Sequence, residues 1–110
     1  MKNWQQIATL EDIPPLGSRV INTSQGDIAL FRTADNEVFA LNDKCPHKGG
    51  RLSQGIVFGK TVACPLHGWN IGLEDGNAVA PDVGCAHSTP VKLDGNVVFI
   101  SLSYANRKMN

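Results

Sequence analysis

The sequence predicts an all-β fold: antiparallel sheets forming a sandwich, with an inserted segment carried at one tip. Three observations predict it. Short runs rich in β-branched and aromatic residues recur along the chain, and such residues favour a pleated, half-buried backbone. The runs are punctuated by Gln25-Gly26, Asp35-Asn36, Phe58-Gly59, Asp75-Gly76 and Asp94-Gly95, pairs that tolerate positive φ or cap their own backbone and so close tight turns. Helical signals are scarce: Thr9-Leu10-Glu11-Asp12 opens like a helix, but Pro14 and Pro15 stop it after a single turn.

In chain order, strands are expected at Trp4–Ala8, Arg19–Thr23, Asp27–Thr33, Val38–Asn42, Thr61–Cys64, Asn70–Leu73, Thr89–Leu93 and Asn96–Leu102. The hairpins about Asp35-Asn36 and Asp94-Gly95 are the best marked, because apolar residues flank both turns, and they are expected to build the base sheets. Residues 42–72 read as an insertion between base strands. No linker, repeat or low-complexity stretch divides the chain, so residues 1–105 are expected to form one domain and 106–110 a polar, frayed end.

With 110 residues, the chain holds a modest core and has no room for a second catalytic module. Ten basic residues balance ten acidic ones, which argues against nucleic-acid or membrane-surface partners, since both select a basic excess. The first twenty residues mix Trp4, Gln5, Gln6, Glu11 and Asp12 among the apolar ones; they do not read as a leader or membrane span, and a soluble cytoplasmic protein is the expectation.

Chemistry concentrates in two strings. Cys45-Pro46-His47 and Cys64-Pro65-Leu66-His67 are separated by sixteen residues and together form a Cys-x-His…Cys-x-x-His constellation. Zinc accepts the same four ligands, but structural zinc sites usually pair Cys with Cys and His with His, whereas here each string carries one of each. That arrangement is similar to the Rieske signature, in which two His replace two Cys on one iron of a 2Fe-2S cluster. The candidate ligands are therefore Cys45, His47, Cys64 and His67, each loop serving both irons. Two ferric ions, two sulfides and two thiolates sum to zero charge, so such a cluster takes an electron more readily than one held by four thiolates. Bound to ferric iron, the imidazoles should also lose their distal protons more easily, so the potential should fall at alkaline pH.

Pro46 and Pro65 restrict the chain after each Cys. Gly49, Gly50 and Gly68 lie beside the ligands, where backbone N–H groups could approach sulfur and raise the potential. High-potential Rieske proteins have a Ser one residue after the glycine of the second loop, and a nearby Tyr. Here the sequence is His67-Gly68-Trp69-Asn70-Ile71, so a potential in the lower half of the Rieske range is expected. Cys85 is left over, and is read as a reduced, partly buried thiol. Lys44, Lys48, Arg51 and Lys60, opposed only by Asp43, suggest a locally basic tip. His87 reads as a surface or edge histidine, Trp4 and Trp69 as packing aromatics, and Glu74, Asp75 and Asp82 as turn residues.

Nearly the whole chain resembles the small subunit of the assimilatory NADH-dependent nitrite reductase. The likeness lies in Leu10-Glu11-Asp12-Ile13-Pro14, Ile28-Ala29-Leu30-Phe31-Arg32, Cys45-Pro46-His47-Lys48-Gly49-Gly50 with Leu52-Ser53-Gln54-Gly55, Cys64-Pro65-Leu66-His67, and Gly76-Asn77-Ala78-Val79-Ala80-Pro81. The resemblance implies a Rieske-type iron-sulfur fold, one Rieske 2Fe-2S cluster, and a third loop over that cluster. It further implies a large catalytic partner subunit carrying sirohaem, a four-iron cluster and flavin, which reduces nitrite to ammonium, while this chain relays electrons or supports the complex. The main alternative is a free Rieske ferredoxin feeding an aromatic-ring oxygenase; a subunit whose cluster is merely structural is a third reading.

Overall fold

Strand β3, Gly26–Arg32, carries the unbroken apolar run Ile28-Ala29-Leu30-Phe31, and every residue of that run is buried. Side chains alternate across a strand, so such a run needs cover on both faces. It receives that cover from two separate cores. Ile28 and Leu30 enter one, together with Ala8, Ile13, Val38, Ala40, Val98 and Ile100. Ala29 and Phe31 enter the other, with Leu41, Leu52, Val57, Val62, Ile71 and Leu73.

The computed structural model describes residues 4–24, 26–46, 50–65, 68–80 and 83–101. In chain order, β1 (Trp4–Thr9) leads into a 3-10 turn at Leu10–Asp12, then come β2 (Ser18–Thr23), β3 and β4 (Val38–Asn42). A second 3-10 turn, Leu52–Gln54, precedes β5 (Ile56–Phe58), β6 (Thr61–Ala63), β7 (Asn70–Gly72), β8 (Ser88–Thr89), β9 (Val91–Asp94) and β10 (Val97–Ser101). They form three antiparallel sheets: β1-β10-β9, β2-β3-β4-β8 and β5-β6-β7. The four-stranded sheet is the middle layer, with β1-β10-β9 on the first core and β5-β6-β7 on the second.

The all-β expectation holds, and so do both well-marked hairpins, although they fall in different sheets. The first turn is a capping box at Thr9 and Asp12, with the Thr9 N–H donating to Asp12 Oδ2 at 2.9 Å. That bond, ahead of all other influences, holds the Asp12 carboxyl below its ordinary value. Two strand expectations need correction. β5 was not anticipated, because its three residues bury only Val57 and leave Ile56 and Phe58 exposed. The expected strand Thr89–Leu93 is two strands that meet at Pro90, which has no N–H for a ladder, and its halves join different sheets. Other boundaries move by at most one residue, while Gln25, Leu102 and the 106–110 end lie outside the described residues.

Candidate metal centre

β4 delivers the chain to the first cysteine and β6 delivers it to the second. Cys45 and Cys64 are each 1 % exposed and both lie in the second core. The first loop closes where the Cys45 N–H donates to the Gly50 carbonyl at 2.7 Å. The second extends the β6–β7 ladder by one more pair: the Cys64 N–H donates to the Trp69 carbonyl at 2.7 Å. Inside it the Gly68 N–H donates to the Cys64 carbonyl at 3.0 Å, with Gly68 at φ +72°. That amide therefore closes a turn instead of approaching sulfur as anticipated, and the positive φ is what calls for glycine. Two of the four sequence-derived ligands, Cys45 and Cys64, are thus brought into one core, while His47 and His67, like Gly49, lie outside the described residues.

A third loop reaches both cysteine loops. It is pinned to β7 where the Val79 N–H donates to the Asn70 carbonyl, and closed on itself where the Ala78 N–H donates to the Gly84 carbonyl, each at 2.8 Å. Gly84, at φ +147°, sits so close to the first loop that an added Cβ would lie 2.9 Å from Pro46 Cβ, with Trp69 Cζ3 at 4.0 Å. Trp69 packs half-buried against the second core, as expected of a packing aromatic. Val83, beside Gly84, is 85 % exposed.

The charge arrangement differs from the sequence expectation. Arg51 is paired twice, with Asp43 at 2.9 Å and Asp27 at 3.1 Å. Lys60 bridges Glu37 at 3.6 Å and Glu74 at 3.5 Å. Those carboxylates, Glu37 first and Glu74 second, hold the Lys60 ammonium above its ordinary value. Two cations of the supposed basic tip are therefore paired with carboxylates, of which Asp27, Glu37 and Glu74 had not been anticipated, and Lys48 lies outside the described residues. Asp27 is held below the ordinary carboxylate value, chiefly by the Asn22 amide at 2.7 Å and then by Arg51. Cys85 is exposed rather than partly buried, its thiol directed at the Asp75 carbonyl at 3.8 Å.

The role of Asp43 was missed by sequence reasoning, which treated it only as an opposing charge. Its side chain is fully buried, and it accepts from the Ser53 N–H at 2.7 Å and the Ser53 hydroxyl at 2.8 Å. The available signal was Asp two residues before a ligand and Ser two residues after Arg51, but nothing local marks them as partners. Elsewhere the readings hold: His87 is exposed beside β8, and Asp75 caps a turn by accepting from the Asn77 N–H at 2.9 Å. Trp4, read as a packing aromatic, is instead exposed on β1 and belongs to neither core, with the Lys92 ammonium 5.3 Å from its ring centroid. Asp82 lies outside the described residues.

The donor set fits a Rieske centre as far as it is described: two buried cysteine thiols enter one apolar core from separate loops. Thiolates in such a setting are shielded from water and from oxidation. Among the described residues, no helix is long and apolar enough to cross a membrane.

Comparison with known proteins agrees with this geometry. The chain is 29 % identical to the ferredoxin component of the naphthalene 1,2-dioxygenase system of Pseudomonas aeruginosa, over 93 % of its own length and 98 % of that protein's. It is 33 % identical to the 3-phenylpropionate/cinnamic acid dioxygenase ferredoxin subunit of Photorhabdus laumondii, over 88 % of this chain and 92 % of that one. A solved structure assigned as the small subunit of an NADPH nitrite reductase is 27 % identical, with a TM-score of 0.79 over 89 % of this chain and 97 % of that chain. The family model of the Rieske [2Fe-2S] domain matches residues 3–97. With its two buried cysteines, paired loops and all-β frame, the chain belongs to the Rieske [2Fe-2S] domain family, electron-transfer domains that hold a single 2Fe-2S cluster.

Proposed function

We propose that this chain is the Rieske-type small subunit of an assimilatory NADH-dependent nitrite reductase, with Cys45, His47, Cys64 and His67 as the cluster ligands. The carrying observation is that two of the stretches resembling that subunit family meet the cysteine loops: Leu52-Ser53-Gln54-Gly55, and the third loop that begins at Gly76 and runs on to Gly84. Leu52 of the first stretch shares the core of Cys45 and Cys64, and Gly84 packs on Pro46 beside Trp69. The nitrite reductase neighbour, similar over almost its whole length, supports the same reading.

When bound, the cluster supplies a one-electron relay at a potential above that of four-thiolate centres. Leu52, Ile71 and Leu73 keep water out of the core in which the two cysteines are buried, while Pro46, Trp69 and Gly84 hold the three loops in register. The chain carries electrons as part of an enzyme, and the nitrite chemistry belongs to a large subunit bearing sirohaem, a four-iron cluster and flavin.

A second reading, a free ferredoxin for an aromatic-ring oxygenase, is favoured by the two oxygenase ferredoxins that match along nearly the full chain. Affinity capture of the tagged chain from its own cells grown on nitrate separates the two. A co-purifying large protein with sirohaem and flavin absorption is the expected result. A mononuclear-iron oxygenase in its place, or no stable partner, overturns the nitrite reductase assignment.

A further inference from the structure

We propose that Asp43 is a positioning residue, which keeps the first ligand loop closed around Cys45 by gripping Ser53 and Arg51. The inference rests on the reading of Cys45 as a cluster ligand. Asp43 and Ser53 stand ten residues apart, on either side of the loop. The Asp43 carboxylate is fully buried and takes three donors: the Ser53 N–H, the Ser53 hydroxyl and the Arg51 guanidinium. Removing one donor leaves part of a buried carboxylate unsatisfied, which costs free energy, so the grip is costly to open.

The grip is also anchored to the middle sheet. Arg51 reaches Asp27 on β3 at 3.1 Å, the Asp43 N–H donates to the Asp27 carbonyl at 3.0 Å, and the Ser18 hydroxyl on β2 donates to the Ser53 carbonyl at 2.6 Å. Both ends of the loop are thus tied to two strands that do not themselves carry ligands. A thiolate on a loop so fixed stays oriented when its metal is challenged, which is how outer-shell contacts act on a metal site.

The test uses the full-length protein with its cluster and four variants: Ser53→Ala, Ser53→Thr, Asp43→Asn and Cys45→Ala. Three properties are read: the lifetime of the visible cluster absorption against an iron chelator, the line width of the reduced-state paramagnetic signal, and the reduction potential. Ser53→Ala should shorten the lifetime by about tenfold, at the lower end of outer-shell effects on metal affinity, and broaden the signal; Ser53→Thr, which keeps the hydroxyl, should restore both. Asp43→Asn should also shorten the lifetime, and raise the potential by removing a buried negative charge. If Asp43→Asn does not fold, the Ser53 pair decides alone. Unchanged lifetime and line width in Ser53→Ala, with Cys45→Ala colourless, overturn the positioning role and leave the ligand reading standing. A Cys45→Ala variant that keeps the wild-type spectrum overturns the ligand reading, and the positioning role with it.

Discussion

Gly84 of the third loop lies against Pro46 of the first cysteine loop, at a spacing where a Cβ on Gly84 would stand 2.9 Å from the proline Cβ. Real Cβ atoms do not approach that closely, and the positive φ adds strain of its own. Gly84→Ala should therefore lift the third loop from its neighbours, destabilise the fold by about 1–3 kcal/mol, and speed loss of the cluster. Chemical denaturation and the decay of visible absorption measure the two effects, and a variant that matches wild type in both would show that the contact carries no strain.

The two cores should respond differently to the same kind of cavity. Leu52 and Ile100 are both fully buried, one among the cysteines and the other between the middle sheet and β1-β10-β9. Truncating either to Ala should cost about 2–5 kcal/mol. Only Leu52→Ala should shorten the cluster lifetime, because only that cavity opens in the core that holds Cys45 and Cys64. Equal lifetimes in the two variants would mean that the second core does not shield the site.

Asp27 links acid stability to the Asn22 and Arg51 contacts. Its folded carboxyl is held below the ordinary value of 3.8, so its contribution is present above that pH and is lost as pH falls through the lower folded value. Wild type and Asp27→Asn should differ in melting temperature at neutral pH and converge below pH 3.8. Lys60 works in the opposite direction: its raised value makes its contribution complete below 10.5 and lost as pH rises through the folded value. A constant gap between wild type and Asp27→Asn across the acid range would exclude the first linkage.

Thiol labelling should be selective in the native protein. Cys85 is exposed, while Cys45 and Cys64 are buried. A brief treatment with iodoacetamide, read by mass spectrometry, should add one group at Cys85, and the other two cysteines should react only after denaturation. Early labelling at Cys45 or Cys64 would contradict their burial.

Redox titration should place the potential in the lower half of the Rieske range of about −150 to +300 mV. Trp69 packs against the core, and Ile71 is fully buried; neither position offers a hydroxyl to sulfur. A value near the top of that range would require a donor from another part of the chain.

Much of the fold was legible because local patterns repeat. Runs rich in β-branched and aromatic residues, together with turn dipeptides, located most strands, whereas the two-sided cover of Ile28-Ala29-Leu30-Phe31 emerged only from the packing. β5 escaped because three residues with one buried side chain make too short a pattern to stand out. The break at Pro90 escaped because both flanking stretches favour strand, and only sheet membership separates them.

At the site, the sequence alone pointed to the chemistry: two Cys and two His at a spacing that suits a two-iron cluster. Tertiary structure decided how that chemistry is held. It brought Cys45 and Cys64 into one core, set Gly84 on Pro46, buried Asp43 beneath Ser53, and paired Arg51 and Lys60 with carboxylates. Ligand identity is a property of single residues and their spacing, and so can be read along the chain. Burial, ion pairing and loop closure arise between residues that meet only once three sheets have stacked, and no local pattern encodes such meetings.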